Sequence, residues 1–347
     1  MRIFVQIGLY ITLTLCINNC LYAQVTDFEH IDFTKADHIA RLHKGASLDN
    51  LPLLTYQLTH TLPTPAEKFR AIYRWVCTNI TGDHAQHNTI LHKRKKFKND
   101  SVAFMNWNKE YKKKVFKKLL KHKKTMCTGY AYLIKELCYL ANIESLIIDG
   151  YGRSVNSNIK KLEMANHSWN AVKLNNKWYL CDATWSSGYT DENNIFIQEY
   201  NNGYFLTPPI LFGKNHFPLE QKWVLHKKVT TETFVNAPLL YGKAFKYKIE
   251  PLNPQKLETT IYKNDEVTFS FKMAKKTTNN NIRLVCLTNN KEQILNIDTI
   301  QNENGSISFK YQFKQKGIYD THLKINNDIV ATYTFKVIKN KSTSDTN

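Results

Sequence analysis

Apolar residues recur at helical spacing from Thr64 onward. Phe69, Ile72, Tyr73, Val76 and Cys77 would line one face of a helix ending near Asn79 or Gly82. Thr64 can cap that helix, Pro65 suits its first turn, and Glu67 stands at the capping-box position. Residues 24–60 show weaker periodicity and predict a short helix and a loop. Tyr111, Val115, Phe116, Leu119 and Leu120 mark a second amphipathic helix. A third starts close to Cys127 and runs through Ala131, Ile134, Leu137, Cys138 and Leu140. The spacing then changes. Ser145 to Ile148 predicts a buried strand, and His167–Leu174 and Lys177–Trp185 predict two strands joined by Asn175-Asn176. Paired asparagines tolerate the positive φ values of a tight hairpin turn.

Residues 186–225 are loop-rich, with aromatic anchors at Phe196, Tyr200, Tyr204 and Phe205. From about residue 240, short alternating runs follow one another: Glu266–Met273, Ile282–Leu287, Ile294–Ile297, Ser306–Phe313, Tyr319–Ile325 and Val330–Val337. Asparagine-rich turns separate them, which predicts an all-β, Ig-like sandwich. The division expected is a mixed helix-and-strand unit at 24–235, a sandwich at 240–340 and a disordered tail at 341–347.

The start of the chain reads as an export signal. Arg2 supplies positive charge, Ile3 to Ile17 is mostly apolar, and Ala23 precedes Gln24 as a small residue at a cleavage site. Residues 1–23 are therefore set aside as a signal peptide, and the mature chain is expected to be secreted or periplasmic. Cys16 and Cys20 raise a lipid-anchored, membrane-associated alternative, but Leu15 and Asn19 before them are not the small residues such a site wants. No second apolar run reaches the ~20 residues of a spanning helix.

Charge is uneven. The chain carries a net +19, and residues 91–124 hold fourteen Lys or Arg against Asp100 and Glu110, a net +12. This basic insertion is either a solvated helical face or a contact for anionic lipid, polysaccharide or acidic substrate. No nucleic-acid motif stands nearby, and no nucleic-acid partner is expected. Asp83, His84 and His87 could suggest a metal, but no further ligands accompany them, and neither metal nor cofactor is expected.

Five cysteines remain in the mature part, Cys77, Cys127, Cys138, Cys181 and Cys286. Five is odd, and their spacing is no disulfide framework, so a thiol with a function is indicated. Cys127 sits at a helix start, where the dipole and free N–H groups favour a thiolate. If Asn175 and Asn176 form the loop, Leu174 faces Lys177 and His167 lies opposite Thr184. Asp182 then projects from the same face as His167, a diagonal neighbour about 7–8 Å away. A thiolate at Cys127, an imidazole at His167 and a carboxylate at Asp182 would together form a nucleophilic triad. The backbone N–H of Cys127 is the expected oxyanion donor. Trp169 and Trp185 are candidates for lining a substrate cleft, with core packing the alternative.

The residues around the triad carry a family likeness. Cys127-Thr128-Gly129-Tyr130-Ala131 resembles the nucleophile motif of the transglutaminase-like superfamily. His167-Ser168-Trp169-Asn170 resembles its histidine motif, and Trp178 to Trp185 its aspartate motif. Spacings of 40 from Cys to His and 15 from His to Asp also suit it. Within that superfamily the chain is most similar to the kyphoscoliosis peptidase group, through Ala71 to Val76 and Tyr204 to Pro218. The likeness covers roughly residues 64–225. It implies an α+β class, with a papain-like, transglutaminase-like domain ahead of the sandwich. It also implies a cysteine enzyme acting on amide bonds of proteins or peptides. Transfer to water would make a peptidase, transfer to lysine a crosslinker, and the peptidase group favours hydrolysis. The rival is a binding or scaffolding protein that keeps the fold without the chemistry. Met126 and the very basic insertion depart from the family pattern.

Overall fold

The computed structural model describes residues 25–339 apart from 156, 274–280, 289–290, 299 and 304. The expected signal peptide, the C-terminal tail and all or part of three asparagine-rich turns (279–281, 289–290 and 302–305) lie outside the described residues.

Helices come first. α1 (Thr34–Leu42) and α2 (Leu51–Thr59) occupy the stretch expected to hold one helix and a loop. Their periodicity is hard to read because each is only nine residues long. α3 (Pro65–Asn79) begins as predicted. Thr64 Oγ1 accepts from the Glu67 N–H, and Glu67 reaches back to the Thr64 N–H. The apolar face read from the sequence is wholly buried. The second half of α4 (His84–Lys96) and all of α5 (Ser101–His122) make up the basic insertion, and α5 buries Val115 and Leu119 as its periodicity required. α6 (Cys127–Leu140) follows.

A four-stranded antiparallel sheet packs against α6. It comprises β1 (Ser145–Gly152), β2 (His167–Leu174), β3 (Lys177–Cys181) and β4 (His216–Pro218), in the order β3-β2-β1-β4. Leu174 pairs with Lys177, the predicted register, and Asn175 and Asn176 take φ of 48° and 63°. β1 runs four residues beyond Ile148 because its end gains a second partner in β4. β3 departs from expectation. It stops at Cys181 instead of running to Trp185, and α7 (Ala183–Ser187) starts at once. The cause is Asp182, whose carboxylate caps α7 and ends the ladder.

The C-terminal strands form two facing sheets. β5 (Ile249–Asn253), β7 (Glu266–Met273), β10 (Gln301–Glu303) and β11 (Ser306–Gln312) make one, in the order β5-β7-β11-β10. The other contains β6 (Glu258–Tyr262), β8 (Ile282–Thr288), β9 (Lys291–Leu295), β12 (Gly317–Ile325) and β13 (Asp328–Ile338), in the order β6-β13-β12-β8-β9. Phe269, Phe271, Phe309, Tyr333 and Phe335 fill the space between them. The molecule is thus α+β with an all-β sandwich following the mixed part, as the sequence indicated. The sandwich core continues into Tyr204, Leu211 and Trp185.

Candidate active site

Cys127 is the first residue of α6. The chain leaves α5 through Lys123, in the left-handed region at φ 51°, and Lys124-Thr125 pair in parallel with Thr81-Gly82. Met126 is extended and gives no side-chain cap, so the first N–H groups of α6 stay available to an anion. Gly129 makes this turn possible. A Cβ there would sit 1.9 Å from Thr125 Oγ1. The motif's glycine is therefore a packing requirement, with Thr125 filling the space a side chain would need.

His167 opens β2 and is buried. Gly152 lets β1 lie against it, since a Cβ on Gly152 would come 2.9 Å from His167 Cβ. His167 Nε2 donates to Asp182 Oδ2 at 2.8 Å. This leaves Nδ1 as the ring nitrogen available to the thiol. Asp182 is fully buried with both oxygens engaged. Oδ1 accepts the α7 N–H groups of Thr184 (2.8 Å) and Trp185 (3.3 Å). Oδ2 accepts a second imidazole, His216 Nε2, at 3.1 Å. The Tyr73 hydroxyl on α3 donates to the Asp182 carbonyl at 2.9 Å. Asn170, last residue of the histidine motif, donates from Nδ2 to the Ala131 carbonyl of α6 at 2.9 Å. That bond ties the cysteine's helix to the histidine's strand, a link that spacing alone did not supply.

Electrostatics follow from burial and these contacts. Burial alone would lower the His167 pKa, but the Asp182 charge and hydrogen bond outweigh it and raise it to about 10. Burial opposes a thiolate at Cys127, yet contact with His167, its charge and the Ser168 N–H pull the thiol pKa down. Asp182 is held well below the carboxylate range by both imidazoles, despite its burial. Burial pushes His216 down to about 4, more than Asp182 lifts it. Burial pushes Cys77, Cys138 and Cys181 up, so they behave as inert core thiols. Cys127 is half-buried and opens to solvent.

His216 was read in the sequence only as part of a trailing segment, without a chemical role. It sits 34 residues beyond Asp182, on a three-residue strand too short for any periodic signal. It stacks on Phe212 at 3.9 Å, and Asn215 Oδ1 lies 2.6 Å from its other nitrogen. The two tryptophans part company. Trp185 is half-exposed and stacks on His167, ring centroids 4.8 Å apart. Trp169 is 1% exposed and packs beneath the site against Phe212 and His216. It takes the packing alternative, because Phe212 from the short helix Pro209–Phe212 and His216 of β4 cover it.

His167, Asp182 and His216 are also the one group of three ligand-type side chains among the described residues that could hold a metal. Both Nε2 atoms, however, address a single carboxylate oxygen at hydrogen-bond distance. The arrangement is that of a hydrogen-bonded relay, and a metal would have to break both bonds. Asp83 at the start of α4 accepts the Gln86 N–H and pairs with Lys118, while His84 Nε2 meets Asn88 at 2.8 Å.

Residues 53–183 match the family model described as "Transglutaminase-like superfamily". This segment, with Cys127, His167 and Asp182 brought to one place, is a domain of that superfamily. Among its relatives, the human (Homo sapiens) kyphoscoliosis peptidase is 32% identical over 203 residues, covering 58% of this chain and 27% of that protein. Hillarin of Drosophila melanogaster is 25% identical over 232 residues, 62% of this chain and 26% of that one. The chain spans about a quarter of the length of these relatives. A solved structure titled "Crystal structure of a TGase" shares 14% identity, with a TM-score of 0.27, over 52% of this chain and 38% of its own. That likeness is too slight to argue from.

Proposed function

We propose that the protein is an exported cysteine-dependent acyl-transfer enzyme that hydrolyses amide bonds of proteins or peptides. The observation that carries this reading is the connected line from the Cys127 thiol through His167 to Asp182. The Cys127 thiolate attacks the carbonyl carbon. The oxyanion forms beside the free N–H groups of α6, with the Cys127 N–H as one donor. His167 gives its Nδ1 proton to the leaving amine, the C–N bond breaks, and a thioester remains on Cys127. Water then attacks the thioester, His167 takes its proton, and the acid departs. Asp182 holds the imidazole's tautomer and orientation throughout.

The same thioester could pass to an amine. Hydrolysis is favoured by the relatives named as peptidases, and export by Arg2, the apolar run from Ile3 to Ile17 and Ala23. The test is incubation of the full chain with a peptide library, with and without a dansylated amine. New peptide termini that vanish in Cys127→Ala support hydrolysis. Amine incorporation without cleavage would make the protein a crosslinker. Neither product, with Cys127 inert to a peptidyl electrophile, would support the binding-protein rival.

A further inference from the structure

The basic insertion is fastened next to the nucleophile. The Thr81 N–H donates to the Lys123 carbonyl and the Asp83 N–H to the Thr125 carbonyl, at 2.9 and 3.0 Å. Both ends of the α4–α5 hairpin are therefore anchored two to four residues ahead of Cys127. From the last turn of α4, Arg94 turns inward. Its guanidinium stacks over Phe104 on α5, 5.1 Å from the ring centroid. Its Nη1 donates at 3.3 Å to the carbonyl of Met164, three residues before His167. Arg94 thus spans from the insertion to the segment that delivers the catalytic imidazole.

The charge around Arg94 is unbalanced. It makes no ion pair with a carboxylate among the described residues. The two acids of the insertion are occupied: Asp100 caps α5 through the Ala103 N–H, and Glu110 pairs with Lys113 at 2.8 Å. Lys93, Lys95 and Lys96 share the last turn of α4 with Arg94. The negative group that bears on Arg94 is the Cys127 thiolate, whose charge offsets part of the burial cost of the guanidinium. A guanidinium fixed by stacking and one carbonyl keeps donors free for a planar anion. Bidentate carboxylate recognition is what such a fork does best.

We infer that Arg94 is a specificity-determining residue that receives a carboxylate beside the reacting amide, so that the substrate is an acidic polypeptide segment. The inference rests on the thiol-enzyme reading above and names the substrate class of that site.

The test compares alkylation of Cys127 by iodoacetate and by iodoacetamide in the full chain. The two reagents consume the same thiolate, so the ratio of their rates cancels the thiolate fraction and the folded fraction. It reports the charge felt by an incoming carboxylate. In Arg94→Gln the iodoacetate-to-iodoacetamide ratio should fall roughly fivefold, the size expected for one partly screened charge near the thiol. In Arg94→Lys, which keeps the charge but loses the fork, only part of the ratio should remain. An unchanged ratio in Arg94→Gln, or an equal fall in Arg94→Lys, overturns the inference. A wild-type Cys127 that neither reagent modifies at neutral pH is a different failure, because it removes the thiol reading itself.

Discussion

Asp182 has no idle oxygen: one caps α7 and the other takes two imidazoles. Asp182→Asn should leave shape and volume in place while losing the charge that holds His167 protonated. Turnover should fall about 10³- to 10⁴-fold, read as kcat on a cleaved peptide. His216 has a different signature. Its folded pKa of about 4 lies below the 6.5 of a free imidazole, so below pH 6.5 the unfolded chain takes up a proton that the folded chain refuses. Stability from this residue therefore declines as pH falls from 6.5 to 4. The difference in Tm between the wild type and His216→Asn should narrow across that window, and a constant difference would count against a neutral, buried His216. At this scale the sequence singled out Cys127, His167 and Asp182, because each stands in a distinctive local motif, and the structure brings the three side chains together. It did not disclose His216 or Arg94, since both reach the site through tertiary packing.

Elements were legible where a local rule decides them. The capping box at Thr64 and the Asn175-Asn176 hairpin are set by neighbours in sequence, and both stand where they were read. Thr64→Ala should cost about 1 kcal/mol in denaturant unfolding. The end of β3 was read too far along because Ala183-Thr184-Trp185 suits a strand equally well. What decides is the cap Asp182 gives to α7, which depends on a buried carboxylate that local pattern does not reveal. β5 and β6 were also unread, since their alternation is broken by Pro251, Pro254 and a run of exposed polar residues. The start of α6 offers a sharper check. Gly129→Ala should destabilise by about 1–3 kcal/mol, the range for overpacking a filled site. Adding Thr125→Ala, which removes the nearest atoms, should recover part of that loss. Strict additivity of the two changes would show that they do not meet.

Across the whole molecule, the sandwich and the transglutaminase-like part meet directly behind Asp182. Tyr204 stacks on Phe245 at 4.4 Å, Asn201 Nδ2 donates to the Gly242 carbonyl at 2.7 Å, and Lys243 pairs with Glu199 at 2.8 Å. Gly203 permits the approach, for a Cβ there would lie 2.2 Å from the Phe245 backbone. The Tyr204 carbonyl accepts the Asp182 N–H, so this contact reaches the site. A fragment ending near residue 240 should melt at lower temperature than the full chain and lose the enhanced reactivity of Cys127. The sequence indicated two kinds of architecture in series, and a change of periodicity near residue 240 is visible without coordinates. The shared core was not visible, because its aromatic residues come from segments with no regular pattern.

The central claim is that Cys127 is a thiolate because His167 is an imidazolium. The direct measurement is the rate of Cys127 alkylation by iodoacetamide as a function of pH, followed on the Cys127 peptide by mass spectrometry. The wild-type rate should hold its plateau well below pH 8.5, and His167→Ala should return to a single rise near the ordinary thiol value of about 8.5. A wild-type curve that rises near 8.5 and superimposes on that of His167→Ala would contradict the account.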